Sequence, residues 1–287
     1  MSQTDANLIC DALLPAVLEA GRIEMRHFTS GVKIEKKADK SPVTVADREA
    51  EDVIVAALAR LAPDIPVVAE EAAAAGRLPQ PSQRFFLVDA LDGTHMFIRG
   101  KPEFSVNIAL VEDGRPVFGL VYGPASGSLY ATRSSAQSYA AEIMPEADIG
   151  RSAAISWTRL ASRMPDNQNL VAFNSRTAGG AGADFLAELG VKEARPLGSS
   201  LKFCLIAKGE GDIYARFGTT YEWDTAAGQA VLEAAGGSVA TLDGNALCYG
   251  KSTAGYLNPH FVAWGRTPLL IRCESPATAE HLPQKGP

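Results

Sequence analysis

Phe85-Phe86-Leu87-Val88-Asp89-Ala90-Leu91-Asp92-Gly93-Thr94 is the stretch from which the rest of the chain is read. Four apolar residues run straight into a carboxylate, the pattern of a buried strand ending at Asp89. Asp92 follows, then Gly93 and Thr94, a turn pair and a hydroxyl. An acid at a strand end and another in the next turn can converge on one point. Oxygen donors crowded in this way suit a hard cation such as Mg²⁺. The same letters also spell an Asp-rich turn with Thr94 as a helix N-cap. On spacing alone that plainer reading is the commoner one.

Upstream, Val67-Val68-Ala69 reads as a short strand delivering Glu70 and Glu71, and the Ala/Gly/Pro-rich run from Ala72 to Pro81 as a mobile loop. Adjacent glutamates are ordinarily solvated surface acids. From Asn7 to Phe28 apolar residues recur at helical spacing (Leu8, Leu13, Leu14, Val17, Leu18, Ile23, Met25), with Asp5 as N-cap. Pro15 predicts a kink or break in that helix. Val32 to Glu35 alternates as an edge strand does, and a polar turn from Lys36 to Pro42 leads to Val43-Thr44-Val45-Ala46-Asp47. A second amphipathic helix is expected from Asp47 to Leu61, burying Val53, Ile54, Ala57, Leu58 and Leu61. Asp47 can cap it, with Ala50 where a capping box wants Glu or Gln.

Downstream, Ser105 to Val111 and Pro116 to Tyr122 read as strands joined through Asp113-Gly114, a hairpin signal. With Ser128 to Ala131 they make an antiparallel meander packed on the two N-terminal helices. The weak pattern from Ser134 to Asn167 divides the chain into residues 1–134 and 135–287. In the second half, Leu170 to Phe173 is a strand. Gly179 to Gly182 precedes a short helix, Ala183 to Leu189. A glycine run there can cradle phosphate, but it lacks the spacing of the known phosphate loops and reads as a flexible loop. Gly198-Ser199-Ser200-Leu201-Lys202 opens a capped helix, and Asp212 to Phe217 is a strand. Asp224 to Ala235 is an alanine-rich helix stopped by Gly236-Gly237. Val239, Ala246 to Tyr249 and His260 to Trp264 supply closing strands, and the tail from Glu274 to Pro287 is expected to fray. Mixed helices and strands in two halves make the fold α/β or α+β.

At 287 residues the chain fits one large domain or two packed halves. A net charge of −6 and a pI of about 5.3 argue against a surface-wide attraction to nucleic acid or anionic membrane. Cys10, Cys204, Cys248 and Cys273 are far apart and form no C-x-x-C pair, which argues against a zinc site or a disulfide framework. A reducing cytoplasm is the expected setting, with no signal peptide and no membrane span. His27, His95, His260 and His281 have no metal-ligand spacing, and no G-x-S-x-G elbow marks a nucleophilic serine.

Asp89-Ala90-Leu91-Asp92-Gly93-Thr94 resembles the D-P-[IL]-D-G-T signature of the inositol-monophosphatase-like, Mg²⁺-dependent, lithium-sensitive phosphatases. Trp223-Asp224-Thr225-Ala226-Ala227-Gly228 is similar to that family's W-D-x-A-A-G, and Glu70-Glu71 to the acidic pair ahead of the first signature. The signatures stand in the family's order and cover most of the chain. The chain departs from the pattern at Ala90, where Pro is usual, and at His95-Met96, where the nearest relatives carry Lys-Glu.

The resemblance implies a layered αβαβα sandwich of the inositol-monophosphatase and fructose-1,6-bisphosphatase type, with the site between the halves. It implies two or three Mg²⁺ held by Glu70, Asp89, Asp92, Asp224 and the Leu91 backbone carbonyl. Without cations these acids repel one another. Thr94 is implied to hold the attacking water, oriented by Asp47 of the T-x-A-D segment, with Glu70 sharing in catalysis. Gly93, Thr94 and Asp224 are implied to face the phosphate, and a helix opening at Asp224 points free N–H groups the same way. For Asp47 and Asp224 alike, a helix cap remains the plainer role.

Lys40-Ser41-Pro42-Val43-Thr44, Gly198-Ser199-Ser200-Leu201-Lys202-Phe203-Cys204 and Arg216-Phe217-Gly218 resemble the CysQ-type 3′(2′),5′-bisphosphate nucleotidases more closely than the inositol monophosphatases. Such enzymes remove the 3′-phosphate of adenosine 3′,5′-bisphosphate, in the setting of sulfur metabolism, and the activity extends to its sulfated analogue. By that resemblance Ser199, Lys202 and Arg216 hold the second phosphate. Taken singly, Lys202 is equally a solvated helix residue and Arg216 a salt-bridge partner. Ser175-Arg176-Thr177-Ala178 stands where those relatives carry Ser-Arg-Ser-His. A small-molecule phosphate partner is expected, with no nucleic-acid polymer, in a monomer or homodimer. Two alternatives stay open: an inositol or small-sugar phosphatase, and a regulatory or RNA-associated binding protein of the same fold.

Overall fold

The computed structural model describes residues 3–31, 34–36, 42–80, 82–148, 155–166, 168–176 and 180–266. The apolar run at its centre becomes strand β4 (Arg84–Asp92), numbered after β1 (Ile34–Lys36), β2 (Pro42–Thr44) and β3 (Val67–Ala69). Side chains alternate across a strand. Phe86, Val88 and Ala90 therefore enter one core and Phe85 and Leu87 another. A strand covered on both faces needs no polar side, which is why these residues read as a continuous apolar run.

β4 lies second in a seven-stranded sheet. It pairs in parallel with β3 and antiparallel with β5 (Ser105–Glu112). The sheet continues through β6 (Arg115–Gly123), β7 (Ser128–Ser134), β8 (Gln137–Glu142) and β9 (Thr158–Arg159). Asp113 and Gly114 both adopt positive φ, 49° and 74°, the conformation a two-residue hairpin requires.

Helices α1 (Gln3–Ser30) and α2 (Val45–Leu61) cover one face of this sheet. Pro15 does not end α1. An interior proline costs about 3 kcal/mol. Leu13, Leu14, Val17 and Leu18, all buried around it, contribute roughly 1.5–3 kcal/mol each. Pro15 and Asp11, whose carbonyl loses its N–H partner, both face solvent. Asp5 lies inside the first turn rather than capping it, and Leu8 is 63% exposed, off the buried stripe.

The opposite face packs on α6 (Leu201–Ala207) and α7 (Ala226–Ala234), which fill the space before a five-stranded sheet of order β11-β10-β12-β14-β13. These strands are β10 (Val171–Asn174), β11 (Glu193–Pro196), β12 (Ile213–Arg216), β13 (Ser238–Thr241) and β14 (Phe261–Trp264). The alanine-rich α7 lies hard against β6. A Cβ on Gly119 would sit 2.2 Å from the Ala227 carbonyl. α5 (Ala181–Glu188) closes the outer face, with Leu186 buried against Ala172, Ile213, Val262 and Trp264. The layer order is helix, sheet, helix, sheet, helix, as the resemblance implied. No helix among the described residues is long and apolar enough to cross a membrane.

Several expected boundaries move. β8 and β9 extend the first sheet, so the change of sheet falls between Arg159 and Val171 rather than after residue 134. Residues 246–249 make only an isolated bridge, Ala240 to Ala246. α2 starts at Val45, capped by Thr44, with Asp47 at the third position of the capping box. Leu61 turns outward, and Ala50 and Glu51 are buried instead. Asp224 belongs to a short 3₁₀ turn, Glu222–Asp224, two residues ahead of α7, so it does not open that helix. Val32, Lys33, the Lys36–Pro42 turn beyond Lys36 up to Ser41, Pro81, Thr177, Ala178, Gly179, Cys273, His281 and the tail lie outside the described residues.

Candidate active site

α2 supplies the site's first fixed point. The Asp47 Oδ2 atom accepts from the Thr44 N–H at 2.8 Å and from the Thr44 hydroxyl at 2.5 Å, which closes the helix cap. Its Oδ1 atom accepts from the Thr94 hydroxyl at 3.0 Å. Asp47 is thus both a cap residue and the partner of Thr94. Thr94 opens α4 (Thr94–Ile98) just beyond the end of β4. Gly93 makes that turn at φ 99°, and a Cβ there would meet the Glu103 carbonyl at 2.7 Å.

β4, α3 (Glu70–Ala74) and the 3₁₀ turn then bring three acids together. Carboxylate oxygens of Glu70, Asp89 and Asp224 lie within 4.8 Å of one another. Backbone donors fix two of them: Leu91 N–H to Asp89 Oδ1 at 2.9 Å, and Tyr221 N–H to Asp224 Oδ2 at 2.9 Å. Burial, reinforced by Asp92 and Glu70, holds the Asp224 carboxyl well above the usual carboxylate range. The expected fourth acid, Asp92, stands outside this group of three. Its Oδ2 atom accepts from the Ser200 N–H at 2.5 Å and from Asn107 Nδ2 at 3.3 Å. Burial raises its pKa too, opposed by the nearby Lys202.

The second half supplies the positive side. Lys202 is only 5% exposed. Its ammonium donates to the Ser199 carbonyl and to the Leu197 carbonyl and lies 4.9 Å from the centre of the Tyr214 ring. Among the described residues no carboxylate forms an ion pair with it. Burial lowers its pKa to about 8, partly offset by Asp92. Ser199 holds its carbonyl in place from a left-handed backbone, φ 53°. Ser200 does not cap α6 with its side chain, contrary to the capped helix expected there. Its hydroxyl bridges Asn107 and the Asp224 carbonyl. Arg216 donates to the Thr219 carbonyl at 2.7 Å, and its buried Nε has no hydrogen-bond partner.

Glu70, Asp89, Leu91, Asp92, Gly93, Thr94, Ser199, Lys202, Arg216 and Asp224 all line one cavity of about 250 Å³. Asp47 stands behind Thr94. His95 lines the same cavity and is exposed, beside Met96.

Three buried or rim acids were not legible as site residues. Glu51 accepts from the N–H groups of Glu71 and Ala72 at 2.7 and 2.9 Å, and burial lifts its carboxyl to about 7. Glu222 accepts from the N–H groups of Gly250 and Lys251 and pairs with the Lys251 ammonium at 2.7 Å, which anchors the turn carrying Asp224. Glu103 ties Arg176, through two guanidinium bonds, to the Gly198 N–H at 2.8 Å, and Arg176 holds its carboxyl below the usual range. No spacing announces these partners, because most are backbone groups of remote segments. An acid on the apolar face of a predicted helix, as at Glu51, is the one usable signal.

Residues 7–272 match the model of the inositol monophosphatase family. The 3′(2′),5′-bisphosphate nucleotidase CysQ of Shigella flexneri is 41% identical over 233 residues, spanning 81% of this chain and 89% of the relative. The enzyme of the same name from Escherichia coli K12 is 40% identical over 234 residues, with the same two coverages. Among solved structures, CysQ of Bacteroides thetaiotaomicron superposes with a TM-score of 0.73 at 32% identity, covering 93% of this chain and 98% of that one.

Proposed function

The chain belongs to the inositol monophosphatase family, and from that premise we propose that it is a Mg²⁺-dependent phosphatase that removes the 3′-phosphate of adenosine 3′,5′-bisphosphate. One observation carries the reading. The gathered acids and two cationic side chains, Lys202 and Arg216, which form no ion pair among the described residues, line the same cavity.

The acids fit a hard divalent cation. Their donor atoms are all oxygen, and at Asp224 burial beside like charge disfavours the ionised form unless a cation offsets it. Glu70, Asp89, Asp92 and Asp224, with the Leu91 carbonyl, are the residues that would hold it. When bound, Mg²⁺ neutralises phosphate charge and makes a nucleophile of bound water.

The chain's own residues do the rest. The Thr94 hydroxyl donates its hydrogen bond to Asp47, so its lone pair is left to accept from a water and to aim that water at phosphorus. Asp47 keeps its direction because Thr44 holds its other oxygen. Glu70 shares in positioning the water. Gly93 and Thr94 offer first-turn N–H groups, which have no partner within the helix, to the reacting phosphate. Lys202, Arg216 and Ser199 take the second phosphate. A buried ammonium that among the described residues meets two carbonyls and a ring face but no carboxylate gains most from an anion brought by the substrate. The intact acid cluster and the Asp47–Thr94 pair favour catalysis over a purely binding role. The scattered cysteines support a cytoplasmic setting.

The test is phosphate release from adenosine 3′,5′-bisphosphate. The expected outcome is turnover with Mg²⁺, loss in a chelator and recovery on adding Mg²⁺ back. Release that persists in the chelator contradicts the reading.

A further inference from the structure

Glu51 stands on the buried face of α2 one turn after Asp47, and both residues are 4% exposed. Asp47 reaches Thr94, whereas Glu51 reaches a different element. Its two oxygens accept from consecutive N–H groups, Glu71 at 2.7 Å and Ala72 at 2.9 Å. These are the second and third residues of α3. First-turn N–H groups have no partner inside their own helix. The residue at the cap position is Ala69, which has no side-chain oxygen to offer. At five residues α3 is also too short to hold itself. Two bonds from one carboxylate fix both the position and the rotation of this turn, and its first residue is Glu70, one of the three gathered acids.

We propose that Glu51 is a positioning residue for the metal site, holding Glu70 in place through the first turn of α3. α2 then sets, one turn apart, the hydroxyl that orients water and the acid that meets the cation. This rests on the assignment of Glu70 as a metal ligand.

Glu51→Gln keeps the size and one acceptor oxygen but turns an NH₂ toward the second N–H. Mn²⁺ binding without substrate is measured by calorimetry for the wild type, for Glu51→Gln, and for Ile54→Val, which trims the same helix in the core. The expected result is Mn²⁺ affinity about 10-fold or more weaker in Glu51→Gln. Ile54→Val should bind Mn²⁺ as the wild type does, and the substrate KM at saturating metal should be unchanged in Glu51→Gln. A wild type that binds no Mn²⁺ removes the metal assignment itself. A wild type that binds, with Glu51→Gln binding equally well or Ile54→Val equally weakened, overturns the positioning role alone. If Glu51→Gln does not fold, hydrogen exchange on the wild type decides. Protection of the Glu71 and Ala72 amides rises on adding Mg²⁺ if Glu51 positions the site, and unchanged protection overturns the proposal.

Discussion

The acidic and basic walls of the cavity hold their charges by different means. On the acidic wall, backbone N–H groups fix the carboxylates: Leu91 on Asp89, Tyr221 on Asp224, and Glu71 and Ala72 on the supporting Glu51. On the basic wall, Lys202 has two carbonyls and a ring face, and Arg216 one carbonyl with its Nε unpartnered. Three acids gather within 4.8 Å, and Asp92 and Glu70 oppose the ionisation of Asp224. Lys202 is buried and Arg216 half-buried, and among the described residues neither forms an ion pair with a carboxylate. One wall is short of positive charge and the other of negative charge, and a metal phosphate ester supplies both. The difference separates the roles: the acidic wall should govern turnover and the basic wall the choice of substrate.

The largest expected effect breaks the acidic wall. Asp89→Asn should lower kcat by more than about 100-fold, since even outer-shell changes at metal sites cost ~10–100-fold. Its circular dichroism should remain that of the wild type. Near-normal turnover in that variant would end the division of roles. A smaller effect sharpens the basic wall through pH. Burial sets the Lys202 pKa at about 8, below its ordinary value, so its charge is present below that pH and lost above it. The kcat/KM for adenosine 3′,5′-bisphosphate, divided by that for inositol monophosphate, should fall above pH 8 by up to about tenfold per unit. A ratio flat from pH 7 to about 9.5 removes Lys202 from substrate recognition. The smallest effect is at the rim, where Arg176 is half exposed and already satisfied by Glu103. Arg176→Ala should change kcat/KM by a few-fold at most. A loss as large as that of Asp89→Asn would make the Arg176–Glu103 strap part of the machinery.

What could be read from the sequence follows the same division. β4 was legible because burial on both faces leaves a continuous apolar run, and because Asp89, Asp92 and Thr94 lie within a few residues of it. Glu70 and Asp224 came through signatures. Lys202 and Arg216 came only through resemblance, and the burial of Lys202 decides against a solvated side chain there. The hidden part is made by partners remote in sequence. Glu51 looks like one more acid on an amphipathic helix until α3 meets it, and Glu222 until Gly250 and Lys251 do. The start of α2 slipped because Thr44 and Asp47 share the cap, while a one-residue reading assigns it to Asp47 alone. β11 escaped because all four of its residues are exposed, so it carries no apolar alternation to find. Pro15 misled because its local cost is smaller than the packing around it.

The most direct measurement is kcat/KM for adenosine 3′,5′-bisphosphate and for inositol monophosphate, at one Mg²⁺ concentration, in the wild type, Lys202→Ala and Arg216→Ala. A charge-assisted contact contributes about 1.5–3 kcal/mol, or roughly 10- to 150-fold in affinity. The wild type should prefer the bisphosphate. Each variant should lose about that factor on the bisphosphate, mainly in KM, and little on the monophosphate. A wild type that prefers inositol monophosphate, or variants that lose equally on both substrates, would contradict the account.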